Sequence, residues 1–167
     1  MGRSGQLLHV RFNVAGRVRL GYKRGHWDEW RLIFEDGTGC WIEEDDGNYL
    51  RHAEVSQDAT ISDRVVHSGT AGATGAPGFT VDTVALEATR VGQFIDAGYE
   101  RWFVTETGTA TVLGAEGQLP VSVSPRQKMR YLDAVTGGRE LAIELWPEGA
   151  LASISTLLDA TTLRWDN

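Results

Sequence analysis

The chain has 167 residues, a hydrophobic content of 41% and a formal net charge of −7 at pH 7. This length suits one domain or two small lobes that share a core, and the apolar content excludes a chain that is disordered throughout. The acidic balance argues against nucleic acids and anionic membrane surfaces as partners, because both require a basic protein surface.

Residues 7–20 predict strands near the N-terminus, after six residues that we expect to be a frayed end. Val10, Phe12 and Val14 alternate with polar residues in this segment. A period of two with β-branched residues is typical of β-strands, and Ala15-Gly16 is the predicted turn between two of them.

The densest aromatic stretch lies between Trp27 and Leu50 and contains three of the six tryptophans. Within it, residues 30–34 and 40–44 predict two strands. The acidic, glycine-containing segment 35–39 joins them, and a similar turn follows at 45–48. Glycine-containing acidic turns between apolar and aromatic runs are the usual signal of β-hairpins. We therefore expect a hairpin here, with a second turn behind it.

A glycine-rich segment at residues 68–78 is predicted to divide the chain. Its glycines recur at every third position, and its small side chains can bury almost no apolar surface. The triplets are too few for a collagen helix, so a loop or linker is the better interpretation. The predicted organisation is an N-terminal β lobe over residues 1–67, which ends in a strand at 61–67, and a C-terminal β lobe over residues 79–167.

Short extended segments separated by glycine-containing turns account for the C-terminal lobe. Residues 85–94 fit a strand better than a short helix, because threonine and valine favour the extended conformation and Gly92 interrupts. The Gly137-Gly138 pair suits a tight turn that requires positive φ. Turns are also predicted at 106–109 and 114–118. Further strands are predicted at residues 79–86, 101–105, 110–113, 119–123, 130–135, 141–145 and 151–158, and the last leads into a short helix and a polar tail with Trp165.

The two halves of the chain resemble each other weakly. Trp30, an acidic-glycine turn and Trp41 in the first half correspond to Trp102, a similar turn and Val112 in the second. An internal duplication and two ordinary hairpins both account for this similarity. Many short strands at regular spacing predict an all-β or β-rich protein, in which two antiparallel β lobes form a sandwich or a barrel-like arrangement with at most short helices.

The single cysteine, Cys40, excludes an internal disulfide and is typical of a reducing compartment. Its neighbours are Gly39 and Trp41 and the nearby charges are acidic, whereas a reactive thiolate needs cationic neighbours, so we expect a half-buried strand residue. The sequence contains no run of roughly 18 apolar residues and no apolar signal-peptide core, so no integral membrane segment is predicted. A cytoplasmic location is the expectation.

No set of residues has the spacing of a catalytic or metal site. The four histidines are scattered, with no pair at the spacing that places two ligands on one metal ion. The acidic run at residues 43–48 lacks the alternation of a calcium-binding loop, and we interpret it as a solvated turn. Nucleophile and phosphate-binding motifs do not occur. No catalytic residues, metal ligands or cofactors are predicted, although residues distant in sequence could still assemble an active site.

The candidate binding residues are aromatic and acidic, namely Trp27, Glu29, Trp30, Trp41 and Glu43. In an extended segment Trp27 and Glu29 share one face while Trp30 lies on the other, so one tryptophan is expected to fill the core and the other to lie nearer the surface. An exposed tryptophan beside carboxylates can hold a cationic ligand or a basic peptide. The alternative is that all three tryptophans pack in the core or across strands.

The pattern Trp27-Asp-Glu-Trp-Arg-Leu-Ile-Phe-Glu-Asp-Gly, followed by Trp41-Ile-Glu-Glu and Gly47, resembles the DUF4178 family of bacterial domains of unknown function. The segment from Ala110 to Pro120 is similar to a later element of that family, although Gln118 stands where an acidic residue is common. Residues 131–133 and 144–149 also resemble family motifs. The resemblance covers residues 10–158 and implies a mostly β, bacterial, cytoplasmic domain, with no activity or catalytic residues to carry over.

Three functions are consistent with these observations. The leading prediction is a non-enzymatic binding or assembly module that recognises an unknown protein partner through the five candidate residues. A second is a small-ligand-binding protein or an enzyme for a cationic metabolite such as a polyamine, which requires a concave pocket with convergent carboxylates and an aromatic wall. A third is a structural subunit that forms a homo-oligomer through exposed sheet edges.

Overall fold

The computed structural model describes the residues 2–53, 64–66, 80–82, 87–97, 100–119, 122–147, 149–159 and 161–166. The predicted glycine-rich linker at 68–78 lies outside these residues. Of the strand predicted at 61–67, only residues 64–66 are described, and these are extended.

Apart from Glu87 and Ala88, which are helical, the regular structure of the described residues consists of thirteen β-strands. In chain order they are β1 (Ser4–Leu7), β2 (Val10–Tyr22), β3 (Gly25–Phe34), β4 (Gly39–Asp45), β5 (Asn48–Ala53), β6 (Arg64–Val66), β7 (Thr80–Asp82), β8 (Phe94–Ala97), β9 (Glu100–Gly117), β10 (Lys128–Thr136), β11 (Arg139–Trp146), β12 (Gly149–Leu157) and β13 (Leu163–Trp165). The prediction of an all-β fold is confirmed. Among the residues described, no helix has the length and apolar character that crossing a membrane requires.

Eleven strands pair in the order β13-β1-β2-β3-β4-β5-β12-β11-β10-β9-β8, and β9 also pairs with β2. The eight strands from β2 round to β9 thus form a closed cycle of pairings, which is the connectivity of a closed antiparallel β-barrel. β1, β13 and β8 are additions to this cycle, and β6 pairs with β7 in a separate two-stranded sheet. Neither the two predicted lobes nor the internal duplication that the sequence left open is confirmed.

The chain divides into two compact units, and each combines separate stretches of sequence. Unit 1 consists of Met1–Ala53, Thr111–Gln127 and Thr156–Asn167, and unit 2 consists of Glu54–Ala110 and Lys128–Ser155. The lobes predicted at residues 1–67 and 79–167 are continuous in sequence, whereas these units are not.

Unit 1 has an apolar core on one face of the β3–β4 hairpin. Trp30 pairs with Ile42 and Leu32 pairs with Cys40 across the two strands, so the four side chains share a face. The buried residues of this core are Leu7, Phe12, Trp30, Leu32, Cys40, Ile42 and Leu163. Cys40 is therefore buried in the core rather than half-buried.

Unit 2 has its own core, which is built around Trp102. The indole of Trp102 is fully buried among residues of β9, β10, β11 and β12, namely Val104, Leu132, Ala134, Leu141, Ile143 and Ala152. Gly137 and Gly138 join β10 to β11 with φ angles of 52° and 78°. The predicted tight turn with positive φ is confirmed.

Strand β2 continues through the turn predicted at Ala15-Gly16. The pairing of β2 with β3 only shifts register between Val14 and Gly16, which marks a β-bulge. A Cβ atom on Gly16 would lie 2.7 Å from the Leu119 side chain and 2.8 Å from the Gln118 carbonyl oxygen. The absence of a side chain at Gly16 therefore lets the β2 backbone lie close to Gln118 and Leu119, and the chain does not reverse direction there.

Strand β9 likewise runs through both turns predicted at residues 106–109 and 114–118. A Cβ atom on Gly108 would lie 2.5 Å from ring atoms of Tyr131, whose hydroxyl donates a hydrogen bond to Glu106 at 2.9 Å. The glycine makes room for the ring to lie against the strand. Because the predicted second hairpin is one continuous strand, the correspondence between the halves of the sequence has no counterpart here.

Both ends of the described chain are strands. Residues 1–6 were predicted to be frayed, but Ser4–Leu7 pairs with β2 on one side and with β13 on the other. Trp165, expected in a polar tail, lies on β13 directly opposite Gly5. The first and last strands of the described chain, β1 and β13, are thereby brought together within unit 1.

Candidate functional site

A cavity of about 830 Å³ lies in unit 1, where the first and last strands meet. Its aromatic walls are Trp30, Tyr49 and Trp165. Its charged groups are Arg3, Arg17, Glu44, Glu116 and Asp166. The cavity thus combines aromatic faces with charges of both signs.

The aromatic residues reach the cavity through the register of four strands. Trp30 of β3 is buried, with 7% of its surface exposed, and pairs with Ile42 of β4. Tyr49 of β5 pairs with Glu44 of β4. Trp165 of β13 is half-buried, and its ring centroid lies 5.4 Å from that of Trp30 with the ring planes tilted by 56°. We call the space between these two indoles the indole notch.

Gly5 permits the close pairing of β1 with β13 that places Trp165 in the cavity. A Cβ atom on Gly5 would lie 2.2 Å from the Arg164 carbonyl oxygen and 2.7 Å from the Phe12 ring. The backbone oxygen belongs to the strand that carries Trp165, so it can give way only if β13 moves.

We expect Gly5→Ala to displace β13 and to lower the free energy of unfolding by about 2 kcal/mol, as overpacking against backbone does. Chemical denaturation measures this loss, and the indole N–H resonance of Trp165 reports the displacement. Gly114→Ala is the matched control, because a Cβ atom there meets nothing within 4 Å. Equal stabilities of the two variants would contradict this account of Gly5.

Glu44 connects two of the aromatic walls by hydrogen bonds. Its two carboxylate oxygens accept one bond from the Trp30 indole N–H at 3.1 Å and one from the Tyr49 hydroxyl at 3.2 Å. Burial and the charge of the neighbouring Glu44 raise the pKa of Tyr49 above its ordinary value. Tyr49 therefore stays protonated at neutral pH and acts as a donor to the carboxylate.

Arg3 occupies the indole notch. Its guanidinium carbon lies 5.4 Å from the ring centroid of Trp30 and 5.8 Å from that of Trp165. Both distances are within the roughly 6 Å over which a cation is attracted by an aromatic face. The notch is thus a cation site that the chain fills with its own side chain.

Arg17 stacks on Trp30 as well, but a carboxylate holds it in place. Its guanidinium carbon lies 4.7 Å from the Trp30 ring centroid. Its Nε and Nη2 atoms donate to Asp28 at 3.0 and 2.8 Å, and Arg19 donates to the same carboxylate at 2.9 and 2.6 Å. Two paired guanidiniums therefore clamp one carboxylate.

The charges of this clamp fix the protonation state of Asp28. Burial by itself raises the pKa of the carboxyl, but hydrogen bonds from Arg19 and Arg17 outweigh burial, and the pKa lies below its ordinary value. Asp28 is therefore ionised at neutral pH, and it neutralises part of the charge of Arg17 beside the cavity.

The structure separates the five residues predicted from the sequence. Glu29 pairs with Glu43, and Trp41 pairs with both Arg31 and His52, so these side chains share the face of the hairpin that also carries Trp27. Trp30 lies on the opposite face and is the one member of the five that lines the cavity. Trp27 and Trp30 are both buried, at 9% and 7% exposure, whereas alternation predicted one nearer the surface.

The Trp27 face has polar contacts of its own. The Trp27 indole N–H donates to Glu29 at 2.9 Å, and Glu43 lies 3.3 Å from the Nε2 atom of the buried His52. The described residues include no group of three or more His, Cys, Asp or Glu side chains that could hold a metal ion.

Arg3, Trp165 and Tyr49 were missed by reasoning from the sequence. Two of them lie within a few residues of the chain ends, where disorder is the usual expectation. A weak signal was present, since Leu163, Arg164 and Trp165 alternate apolar and polar character as a strand does.

Comparison with known proteins identifies a family but no activity. A family model described as "Domain of unknown function (DUF4178)" matches residues 1–160. This match confirms the resemblance seen in the aromatic strand and turn motifs. No curated protein and no solved structure matches the chain.

Proposed function

We propose that this chain, which belongs to the DUF4178 family, is a non-enzymatic binding module that accepts a cationic group in the cavity of unit 1. The observation that carries the proposal is the indole notch, where a guanidinium lies within 6 Å of both the Trp30 and the Trp165 ring centroids. A site that attracts the chain's own cation can attract a cation of a ligand by the same interaction.

The size and lining of the cavity support a small ligand or a side chain of a partner. Ligand pockets commonly enclose roughly 300–1,000 Å³ and combine apolar walls with a few placed polar groups. The volume of about 830 Å³ falls in this range. Tyr49 and Glu44 add a hydroxyl and a carboxylate beside the aromatic faces.

The charges around the cavity favour a cation over an anion. Arg17 is already paired with Asp28, and Asp166 accepts hydrogen bonds from Ser4 and Arg11. Glu44 accepts only from the uncharged donors Trp30 and Tyr49 among the contacts of the described residues. Because both of these donors are uncharged, the negative charge of Glu44 remains available to a cationic ligand in the cavity. The net charge of −7 attracts cations over longer distances.

Of the five candidate binding residues inferred from the sequence, Trp30 is the one that lines the proposed binding cavity. The cavity also fits the pocket expected for a cationic metabolite, with convergent carboxylates and an aromatic wall. A binding role without catalysis is favoured because the polar groups of the cavity are held in hydrogen bonds and ion pairs with one another.

Titration with n-butylammonium, n-butylguanidinium and n-butylurea tests the proposal, because these probes share a tail and differ in charge. We expect both cations to shift the indole N–H resonances of Trp30 and Trp165 in two-dimensional NMR spectra, and n-butylurea to shift them far less. Trp165→Leu is expected to weaken cation binding about tenfold, which corresponds to the 1–2 kcal/mol of a desolvated cation–π contact.

Trp146→Leu is the matched control. Trp146 is a half-buried tryptophan of unit 2 whose indole N–H is bonded to Glu144 at 2.7 Å. Its replacement should leave cation binding unchanged. Equal responses to all three probes, or equal affinities of the two variants, would overturn the proposal.

A further inference from the structure

We infer that the group recognised in the indole notch is a planar guanidinium, and that Arg3 occupies its position in the free chain. The inference rests on the proposed function and narrows its ligand class.

The geometry of the notch suits a planar cation. The guanidinium of Arg3 lies near two indole rings at once, with centroid distances of 5.4 and 5.8 Å. A guanidinium is flat, delocalised and weakly hydrated, so it stacks on aromatic faces, whereas an ammonium is compact and strongly hydrated. The second cation on the Trp30 ring, that of Arg17, is a guanidinium at 4.7 Å. An ammonium that enters the notch therefore loses more favourable hydration than a guanidinium does, for the same aromatic contact.

Arg3 is free to leave the notch in a way that Arg17 is not. Arg17 is held by Asp28 through two hydrogen bonds and lies 3.7 Å from Glu116. Arg3 is exposed, and no ion pair of Arg3 occurs within the described part of the chain. Its departure therefore breaks no pairing with a carboxylate.

Only the side chain of Arg3 has to move. The Arg3 carbonyl oxygen accepts a hydrogen bond from the Val14 N–H at 3.0 Å, and the next residue, Ser4, donates to Asp166 at 2.6 Å. The backbone thus stays fixed while the side chain rotates into solvent. A ligand guanidinium can then enter a notch whose walls are already in place.

Competition with Arg3 sets the apparent affinity of the site. A ligand that binds only the vacant notch has its affinity reduced by the fraction of molecules in which the notch is vacant. If Arg3 fills the notch about nine-tenths of the time, its removal strengthens binding about tenfold.

The test compares wild type, Arg3→Ala and Arg3→Lys, with n-butylguanidinium and n-butylammonium as probes, by isothermal titration calorimetry and by the indole N–H resonances. We expect Arg3→Ala to bind n-butylguanidinium about tenfold more tightly than wild type, and to prefer it to n-butylammonium at least fivefold. Arg3→Lys should also bind n-butylguanidinium more tightly than wild type, because an ammonium is the weaker occupant. Arg164→Ala, which removes an exposed arginine from β13, should bind as wild type does.

The outcomes separate this inference from the proposed function. If Arg3→Ala binds both cations equally, the guanidinium preference is overturned while the cation site stands. If Arg3→Ala binds n-butylguanidinium no better than wild type does, Arg3 does not occupy the ligand position. If neither cation binds to any variant, the proposed function itself fails.

A further arm distinguishes the two sources of a guanidinium, a free small molecule and an arginine side chain of a partner. Acetyl-Gly-Arg-Gly-amide is titrated into Arg3→Ala beside acetyl-Gly-Lys-Gly-amide. Tighter binding of the arginine peptide than of n-butylguanidinium supports an arginine of a peptide or protein, and weaker binding supports a free guanidinium compound. Equal binding of the arginine and lysine peptides would overturn the inference.

Discussion

Replacing Trp30 by alanine is expected to lower the free energy of unfolding by about 3–5 kcal/mol, the usual cost of truncating a buried aromatic side chain. Trp30 is 7% exposed and belongs to the unit 1 core with Leu32, Cys40 and Ile42. The truncation removes this packing, leaves a cavity behind and takes the hydrogen-bond donor away from Glu44. Urea denaturation followed by far-ultraviolet circular dichroism measures the loss.

Two other variants show whether this cost comes from the core position of Trp30. Trp146→Ala removes a half-buried indole and should cost about half as much, since the transfer term scales with the apolar area withdrawn from water. Trp30→Phe keeps most of the buried area and should cost about 1–2 kcal/mol. A loss for Trp30→Ala no larger than that for Trp146→Ala would show that Trp30 does not contribute as a core residue. Trp30 is both a core residue and a wall of the cavity, so its replacement would change stability and binding together. The binding experiments therefore use Trp165 instead.

Asp28→Asn is expected to lower the free energy of unfolding by about 3 kcal/mol at neutral pH, because breaking a buried ion pair leaves charges uncompensated. The Asp28 side chain is 9% exposed and accepts four hydrogen bonds from Arg17 and Arg19. The asparagine keeps the shape of the carboxylate but loses its charge. We place the expected loss at the lower end of the usual range because both arginines reach solvent.

At acidic pH, wild type should lose the higher free energy of unfolding that it has over Asp28→Asn at neutral pH. The pKa of Asp28 is lower in the folded chain than in the unfolded chain, where it is about 3.9. The stabilisation by the carboxylate is therefore present above that unfolded value and is lost as the pH falls through the folded pKa. The free-energy difference between the two proteins should be constant from about pH 5 to pH 8 and should shrink below about pH 4.

Asp46→Asn is the matched control for this titration. Asp46 is exposed in the turn between β4 and β5 with a φ of 47°, a conformation that asparagine also tolerates. Its replacement should change the stability by less than about 0.5 kcal/mol at any pH, as surface substitutions generally do. A difference between wild type and Asp28→Asn that does not vary down to pH 2 would contradict the assignment of an ionised, clamped Asp28.

The hairpins that could be predicted have strong local signals. The strands predicted at residues 30–34 and 40–44 lie within β3 and β4, and Gly37 in their turn has a φ of 81°. The strands at residues 130–135 and 141–145 lie within β10 and β11. In both places a short turn with glycine at positive φ lies between apolar segments, so a few adjacent residues determine the structure.

The predicted turns that failed have glycines with a different role. Gly16 and Gly108 lie inside long strands, where they accommodate a bulge and the ring of Tyr131. An isolated glycine is an equally good signal for a turn and for a close approach of another segment. The segment that approaches is distant in sequence, so local residues do not distinguish the two cases. At residues 85–94 the helix alternative also has some support, because Glu87 and Ala88 are helical and β8 begins only at Phe94.

The all-β fold class, the family and the aromatic hairpin could be predicted from the sequence, because alternation, turn chemistry and tryptophan spacing are properties of neighbouring residues. The sequence also placed Trp30 among the residues of interest. The pairing of β1 with β13, which brings Arg3, Tyr49 and Trp165 around Trp30, is visible only in the folded chain. Arg3 and Trp165 are separated by almost the whole length of the chain, and no local pattern encodes which strands meet. Their meeting depends on backbone hydrogen bonds between β1 and β13 and on the absence of a side chain at Gly5.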